Sequence, residues 1–234
     1  MKKKKKVVVV MPAYNAARTL EQTFNKIPEE FASNVIVVDD GSKDQTVKIA
    51  QKLKLKLITH QKNLGYGANQ KTCYKNALKL GADIIVMLHP DYQYDPKYIK
   101  YLVTPIVDGS FDIMLGSRIR TRKETLANGM PRYKYFANRF LTLLENLSLG
   151  LNLSDYHTGY RAYHRKILER INLDKLSNDF IFDQQILFSA HLINAKIGEI
   201  YTPCFYRANS SSINFKRSIK YGISILLNLF YYLF

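Results

Sequence analysis

Three apolar runs each end in a short polar run able to hold a ligand. Val7 to Met11 leads into Pro12-Ala13-Tyr14-Asn15. Val35 to Val38 leads into Asp39-Asp40-Gly41-Ser42. Ile84 to Leu88 leads into His89-Pro90-Asp91-Tyr92-Gln93. Their carboxylates, amides and phenols are hydrogen-bonding groups for a polar ligand. Each run alone has a simpler reading: Asp40-Gly41 as an ordinary turn, Asp91 as the cap of a helix after Pro96. Three of them in order are harder to dismiss. Gly65-Tyr66-Gly67 precedes a helix and fits either a turn or a close backbone approach to a ligand. A basic stretch, Arg118, Arg120, Arg122, Lys123, Arg132 and Lys134 against the one acid Glu124, suits an anion. His60, His157, His164 and His191 are scattered and suggest no zinc site, and Cys73 and Cys204 have no metal-type spacing.

The elements that position these residues follow from periodicity. The three apolar runs read as strands covered on both faces. Ala16 to Ile27 carries Leu20, Phe24 and Ile27 at helical spacing. Asp44 is placed to cap a helix through Leu53. Leu55 to Thr59 reads as a strand, and Ala68 to Leu80 as a helix closed by Gly81. This alternation predicts an α/β fold with a mostly parallel sheet and helices on both faces, whose ligands bind at the carboxyl ends of the strands. Farther on, Phe111 to Leu115 and Lys196 to Tyr201 read as strands, 118–134 as a loop, and 135–148 and Phe180 to Leu192 as helices. There is no GxGxxG after the first strand and no GxxxxGK[ST], which disfavours a dinucleotide oxidoreductase or a P-loop NTPase.

Composition sets the frame. The 234 residues are 47% hydrophobic, enough for a large core, and two cysteines fit a reducing compartment rather than a disulfide scaffold. Lys and Arg number 35 against 19 acids, a net charge of +16, so the partner is expected to be anionic. Acidic strand ends at Asp39, Asp40 and Asp91 argue against a nucleic-acid backbone lying there. Lys2 to Lys6 reads as a solvated run before a buried strand or as a contact with anionic lipid. Ile219 to Phe234 is almost wholly apolar and follows Lys216, Arg217 and Lys220. It is short of the ~20 residues that span a bilayer. It reads as an interfacial helix, a packing surface or the start of a longer membrane helix. The expected division is 1–215 as catalytic domain and 216–234 as a membrane-associated helix.

Pro12-Ala13-Tyr14-Asn15, Val37 to Thr46 and Asn63 to Gly67 together resemble family 2 glycosyltransferases of the GT-A fold. Asp91-Tyr92-Gln93-Tyr94-Asp95-Pro96, Gly116-Ser117-Arg118 and Asp155-Tyr156-His157-Thr158-Gly159-Tyr160-Arg161 resemble the branch that holds dolichyl-phosphate mannose synthase and other polyprenyl-phosphate glycosyltransferases. The resemblance covers roughly residues 7–215. It implies a nucleotide-diphosphate-sugar donor, with Pro12, Tyr14, Asn15 and Asp39 on base and ribose and Asp40 and Gly65 in the same donor-binding set. It implies Mg²⁺ or Mn²⁺ at Asp91, with the Gln93 carbonyl as a further oxygen ligand. Two positions depart from the family pattern: Ala16 where an acid is common, and His89 at the first position of the metal motif. Imidazole can ligate Mn²⁺ but suits Mg²⁺ poorly; His89 reads as a ligand, as a residue that supports one from behind, or as simply structural.

The acceptor side divides two functions. A sugar hydroxyl needs a general base, and Asp179 and Asp183 are the candidates. A lipid phosphate is already an anion and needs cations instead. Arg118 and Arg132 suit that task, with Arg161 and Arg207 as further candidates. The basic loop and apolar tail favour the lipid phosphate, at the cytosolic face of an anionic membrane surface.

Overall fold

The computed structural model describes residues 5–206 and 215–233. Lys2 to Lys4, Arg207 and Phe234 lie outside the described residues, as does the side chain of Lys216. One seven-stranded sheet is built from β1 (Val7–Ala13), β2 (Val35–Asp39), β3 (Lys56–Thr59), β4 (Ile84–Met87), β5 (Ile113–Ser117), β6 (Arg161–His164) and β7 (Ile197–Tyr201). The order across it is β3-β2-β1-β4-β6-β5-β7. All pairings are parallel except those of β6, antiparallel to β4 and β5. Parallel neighbours require crossovers, and helices supply them. In chain order these are α1 (Leu20–Phe24), α2 (Glu29–Ala32), α3 (Thr46–Lys52), α4 (Tyr66–Lys79), α5 (Ile99–Val107), α6 (Arg122–Ala127), α7 (Arg132–Leu149), α8 (Arg165–Arg170), α9 (Phe182–Leu192) and α10 (Phe215–Leu233).

The unbroken apolar runs have a direct cause. On β1, Val8 and Val10 enter one core layer with Tyr74, Phe182 and Ile186. Val9 and Met11 enter the opposite layer with Leu20, Ile99 and Leu102. Both faces are covered, so polar alternation disappears.

The structure departs from expectation at several places. The single helix expected over Ala16 to Ile27 shrinks to α1, Leu20–Phe24, and a second short helix, α2, forms after Pro28, outside that span. Side chains from the β2–α3 loop take the backbone N–H groups where the expected helix would begin: Ser42 Oγ accepts from Asn15 at 2.8 Å, Thr46 Oγ1 from Ala16 at 2.8 Å, and Asp44 Oδ2 from Ala17 at 3.0 Å. Pro28 then disfavours helical geometry in the residue before it. The loop expected over 118–134 contains α6, capped by Thr121, whose hydroxyl accepts from Glu124 N at 3.2 Å. α7 begins at Arg132, directly after Pro131. β6 and α8 carry no signal that periodicity reads.

The carboxyl ends of β1, β2 and β4 lie side by side. Ala13 is in register with Asp39, and Asp40 N donates to Ala13 O at 2.8 Å. α10 is docked: Ile225 and Leu229 are buried against Leu141 of α7 and Phe188 of α9. Its opposite face carries Ile223, Leu227, Phe230 and Tyr231, all more than half exposed. Among the described residues no helix is long and apolar enough to cross a membrane.

Candidate active site

Two cavities meet at the strand ends. The larger, about 770 Å³, is lined by Pro12 at the end of β1, Tyr14 and Asn15 just after it, Asp40 after β2, Gly65 at the start of α4, and Asp179. Arg217 and Lys220 of α10 line it as well. The smaller, about 220 Å³, is lined by Gln93, Arg118, Lys134, His157 and Asp183, with Tyr94, Met130, Tyr133 and Tyr206 among its aromatic and apolar walls. Tyr66, His89, Asp91, Phe180 and Tyr221 line both and form the junction.

The loops of the larger cavity are tied to one another. Asn15 has φ 51°, a left-handed conformation that Asn tolerates better than most residues. Its Oδ1 accepts from Lys43 N at 2.9 Å. Asp39 lies behind the wall, 2% exposed; Oδ2 accepts from Ser42 N at 3.0 Å, while Oδ1 is buried without a protein partner. Asp40 is a loop clamp. Its Oδ1 accepts from Leu64 N at 2.9 Å and lies 2.7 Å from His60 Nδ1, and its Oδ2 accepts from Gly65 N at 3.1 Å. Gly65, at φ 103°, has no room for a side chain: a Cβ would come 2.7 Å from Asn178 O.

At the junction, Tyr66 donates its hydroxyl proton to Asp183 Oδ2 at 2.7 Å, and the Tyr66 hydroxyl oxygen lies 3.2 Å from His89 Nε2. Asp183 Oδ1 accepts from Gln70 Nε2 at 3.0 Å. Burial and the neighbouring Asp183 charge push the Tyr66 phenol well above its ordinary range, so it stays protonated. Asp91 Oδ1 accepts from Gln93 N at 3.1 Å. Gln93 itself is buried and lines only the smaller cavity, with its Oε1 turned to the Cys204 thiol at 3.8 Å.

The expected cations divide sharply. Arg118 lines the smaller cavity, gripping fully buried Asp155 through Nε at 2.7 Å and Nη2 at 2.9 Å, with Nη1 on Tyr206 at 3.0 Å. Burial alone would raise the Asp155 carboxyl, but the Arg118 charge and hydrogen bonds hold it well below the usual carboxylate range. Arg132 is exposed at the start of α7 and lines neither cavity; Lys134, two residues on, lines the smaller one. Arg161 is a correction. It is fully buried and donates to the backbone carbonyls of Tyr156 at 2.8 Å, Thr158 at 2.7 Å and Asp183 at 2.6 Å, so no ligand reaches it. It fastens the 156–161 segment to α9. Asp179 is half exposed and ion-paired with Lys220 at 3.2 Å.

Several site residues escaped sequence reasoning. Tyr66 stood inside a glycine pair, and Asp155 inside a quoted motif, without a role for either. Glu145 is fully buried on α7, 3.2 Å from Nε2 of His157, behind that residue's place in the lining of the smaller cavity. Tyr221, with its hydroxyl 3.3 Å from Gln184 Nε2, read as part of an apolar tail.

A divalent cation fits this donor set in one way. Among the described residues no three His, Cys, Asp or Glu side chains gather closely enough to hold a metal unaided. Asp91 at the junction suits Mg²⁺ or Mn²⁺ completed by a ligand's own phosphate oxygens, the usual arrangement where one or two carboxylates serve.

Comparison with known proteins agrees with this layout. Residues 8–171 match the model of Glycosyl transferase family 2. The chain is 30% identical to a UDP-N-acetylglucosamine–dolichyl-phosphate N-acetylglucosaminyltransferase of Methanococcus voltae, over 86% of each chain. It is 26% identical to an undecaprenyl-phosphate mannosyltransferase of Micrococcus luteus, over 83% of this chain and 82% of that one. Glucosyl-3-phosphoglycerate synthase from Mycobacterium tuberculosis, solved with Mn²⁺ and UDP-glucose, superposes with a TM-score of 0.74 at 18% identity, over 96% of this chain and 79% of that one. The last likeness is one of fold, and the expected GT-A-like architecture is what it shares. With its family model spanning most of the sheet and the strand-end loops, this chain belongs to glycosyl transferase family 2.

Proposed function

We propose that the protein is a metal-dependent, inverting glycosyltransferase that moves a sugar from a nucleotide-diphosphate sugar to a polyprenyl phosphate at the cytosolic face of a membrane. The observation that carries this reading is the pair of cavities meeting at Asp91, one polar and set at the strand ends, the other cationic and aromatic beneath α7 and α10. Two relatives are named for dolichyl-phosphate and undecaprenyl-phosphate transfer, which supports the acceptor class.

In this reading the donor lies in the larger cavity. Pro12, Tyr14 and Asn15 border its base and ribose; Asp39, sealed behind the wall, supports them through its bond to Ser42 N instead of touching the donor. Asp40 and Gly65 fix the 63–65 loop against it. Asp91 would hold Mg²⁺ or Mn²⁺ together with the donor's diphosphate; the bound cation supplies positive charge to the leaving group. Arg118 and Lys134 place the acceptor phosphate in the smaller cavity. Its attacking oxygen is ionised already, so positioning and charge replace a base. The aromatic and apolar walls take the first isoprene units, and the exposed face of α10 with Phe136, Phe140 and Leu147 of α7 rests in the membrane interface.

The runner-up acceptor, a saccharide hydroxyl, needs a free base. Both carboxylate oxygens of Asp183 already accept hydrogen bonds, and Asp179 is paired with Lys220. The test is a screen of UDP- and GDP-sugars against a short polyprenyl phosphate and an oligosaccharide, with product mass as readout. A sugar–lipid phosphate product that disappears in chelator is expected. Transfer to the oligosaccharide alone would promote the runner-up.

A further inference from the structure

We infer that Lys220 of α10, held by Asp179, contacts the donor's diphosphate, so that α10 supplies positive charge to the leaving group. The inference rests on the proposed nucleotide-diphosphate-sugar donor and adds a protein cation to its site.

The larger cavity has acids on its floor and cations on its roof. Its carboxylates are Asp40, Asp91 and Asp179, and among the described residues its lysine and arginine, Lys220 and Arg217, both stand on α10. Both oxygens of Asp40 are engaged with the 63–65 loop, and Asp91 is the residue proposed to hold the metal. A diphosphate gains negative charge as the sugar leaves it, and fixed cations aimed at that charge lower the barrier. Among the described residues no lysine or arginine of β1, β2, β4 or the loops after them lines this cavity. A protein cation for a diphosphate bound there therefore comes from α10.

Packing fixes Lys220 in that place. Tyr221, Ile225 and Leu229 recur every four residues along the docked side of α10. Ile225 and Leu229 are buried, and the Tyr221 hydroxyl accepts from Gln184 Nε2 at 3.3 Å. This sets the rotation of the helix and puts Lys220 and Ser224 in the cavity wall. Lys220 Nζ donates to Asp179 Oδ2 at 3.2 Å. Asp179 is itself anchored: its Oδ1 accepts from Phe180 N at 2.8 Å, and its own N–H donates to Ser177 Oγ at 3.0 Å. The loop that carries it is strapped to α4, where Lys71 Nζ donates to Asn178 Oδ1 at 2.9 Å and Gly67 N to Asn178 O at 2.8 Å. The Phe180 N–H, helped by the Lys220 and Arg217 charges, holds the Asp179 carboxyl below its ordinary range. An ammonium has three protons. Among the described residues one goes to Asp179, and two remain for phosphate oxygens of a ligand in the cavity. The ion pair is exposed and worth little alone, so sharing the ammonium with a phosphate costs little.

UDP and GDP are titrated calorimetrically into the full chain with Mn²⁺ present, and kcat/KM is measured with a short, water-soluble polyprenyl phosphate, without a membrane. Lys220→Ala should lower the affinity for the diphosphate that the wild type binds, and kcat/KM, each by about ten- to hundredfold, the worth of one charge-assisted contact. Lys220→Met, which keeps the apolar stem and removes the charge, should lose as much, and Lys220→Arg should keep most of both. Lys220→Ala also leaves Asp179 without its cation beside the diphosphate. The loss should therefore persist in Asp179→Asn/Lys220→Ala. Undiminished diphosphate affinity in Lys220→Ala overturns the inference and leaves the donor reading intact. Full recovery in the double variant does the same, since Lys220 would then only neutralise Asp179. Unchanged affinity joined to lost flotation with anionic vesicles would assign the lysine to the membrane and likewise overturn it. Failure of both nucleotides to bind the wild type with Mn²⁺ present brings down the donor reading and the inference together.

Discussion

Arg118 has two duties that a single substitution merges. It faces the smaller cavity, and it neutralises Asp155, which is fully buried. Arg118→Ala leaves that carboxylate buried without its countercharge, a loss of roughly 3–5 kcal/mol of stability. A collapse of activity in that variant therefore says little about phosphate contact. The double variant Arg118→Ala/Asp155→Asn separates the two. Denaturant unfolding should show most of the stability regained, while kcat/KM for the lipid phosphate stays about ten- to hundredfold low, the worth of one charge-assisted contact. Full recovery of kcat/KM in the double variant would reduce Arg118 to a structural residue. Asp183 is subject to the same kind of ambiguity. It accepts from Tyr66 and Gln70, and an amide has one acceptor oxygen where the carboxylate has two, so Asp183→Asn disturbs one of those bonds. We expect activity to fall through the disturbed Tyr66 contact, with the shape of the pH–rate profile unchanged. Disappearance of an acidic limb in Asp183→Asn would mark it as a base and favour the hydroxyl acceptor.

Among the elements, α7 ties the smaller cavity together from behind. Asn138 donates to Asp155 at 2.8 Å, and Glu145, two turns on, meets His157. Burial pushes the Glu145 carboxyl well above its ordinary range and pulls the His157 imidazole down from 6.5 to about 3. The two act on stability with opposite signs. Between pH ~3 and ~6.5 the unfolded chain binds a proton at His157 that the folded chain does not, so stability rises with pH at up to about 1.4 kcal/mol per unit. From the ordinary Glu value upward the folded chain keeps a proton at Glu145 that the unfolded chain has lost, so stability falls with pH. They largely cancel where they overlap. Glu145→Gln should remove the second slope, and unfolding measured from pH 5 to 7 should then rise with pH more steeply than in the wild type. Parallel curves for the two proteins would contradict the protonated Glu145. This wall was not legible in the sequence, although the strand ends that border the larger cavity were. Buried strands announce themselves by apolar runs, and Asn15, Asp40 and Asp91 stand where those runs stop. Arg161-Ala162-Tyr163-His164 has no such run, because β6 pairs with strands distant in sequence and buries an arginine on main-chain carbonyls. Periodicity places α7 but does not reveal that Glu145 faces inward toward a histidine twelve residues further on.

At the scale of the whole molecule, the proposed membrane attachment can be tested on one surface. α10 is at once a roof and an outer face, and the two uses lie on opposite sides of one helix. Its inner side buries Ile225 and Leu229 and brings Lys220 and Tyr221 to the cavities. Deleting it would open the core and strip the site, so loss of transfer in such a truncation would not identify an anchor. Substitutions on the outer side are cleaner. Leu227, Phe230 and Tyr231 are 66%, 66% and 80% exposed, and on neighbouring α7 Phe136, Phe140 and Leu147 are 59%, 57% and 73% exposed. Full burial of one such side chain is worth about 1.5–3 kcal/mol, so partial immersion of six would suffice for the proposed reversible attachment. Exposed Arg132 on α7 would add about 1 kcal/mol near an anionic leaflet, a contribution that salt screens. Serine at all six positions should leave the fold and transfer to a short, water-soluble acceptor near wild type, since none of the six lines a cavity. The variant should fail to float with anionic vesicles and lose transfer to long-chain acceptor in those vesicles. Wild-type protein should float, less so as salt is raised. Flotation of the six-serine variant equal to wild type would place the membrane contact elsewhere on the molecule.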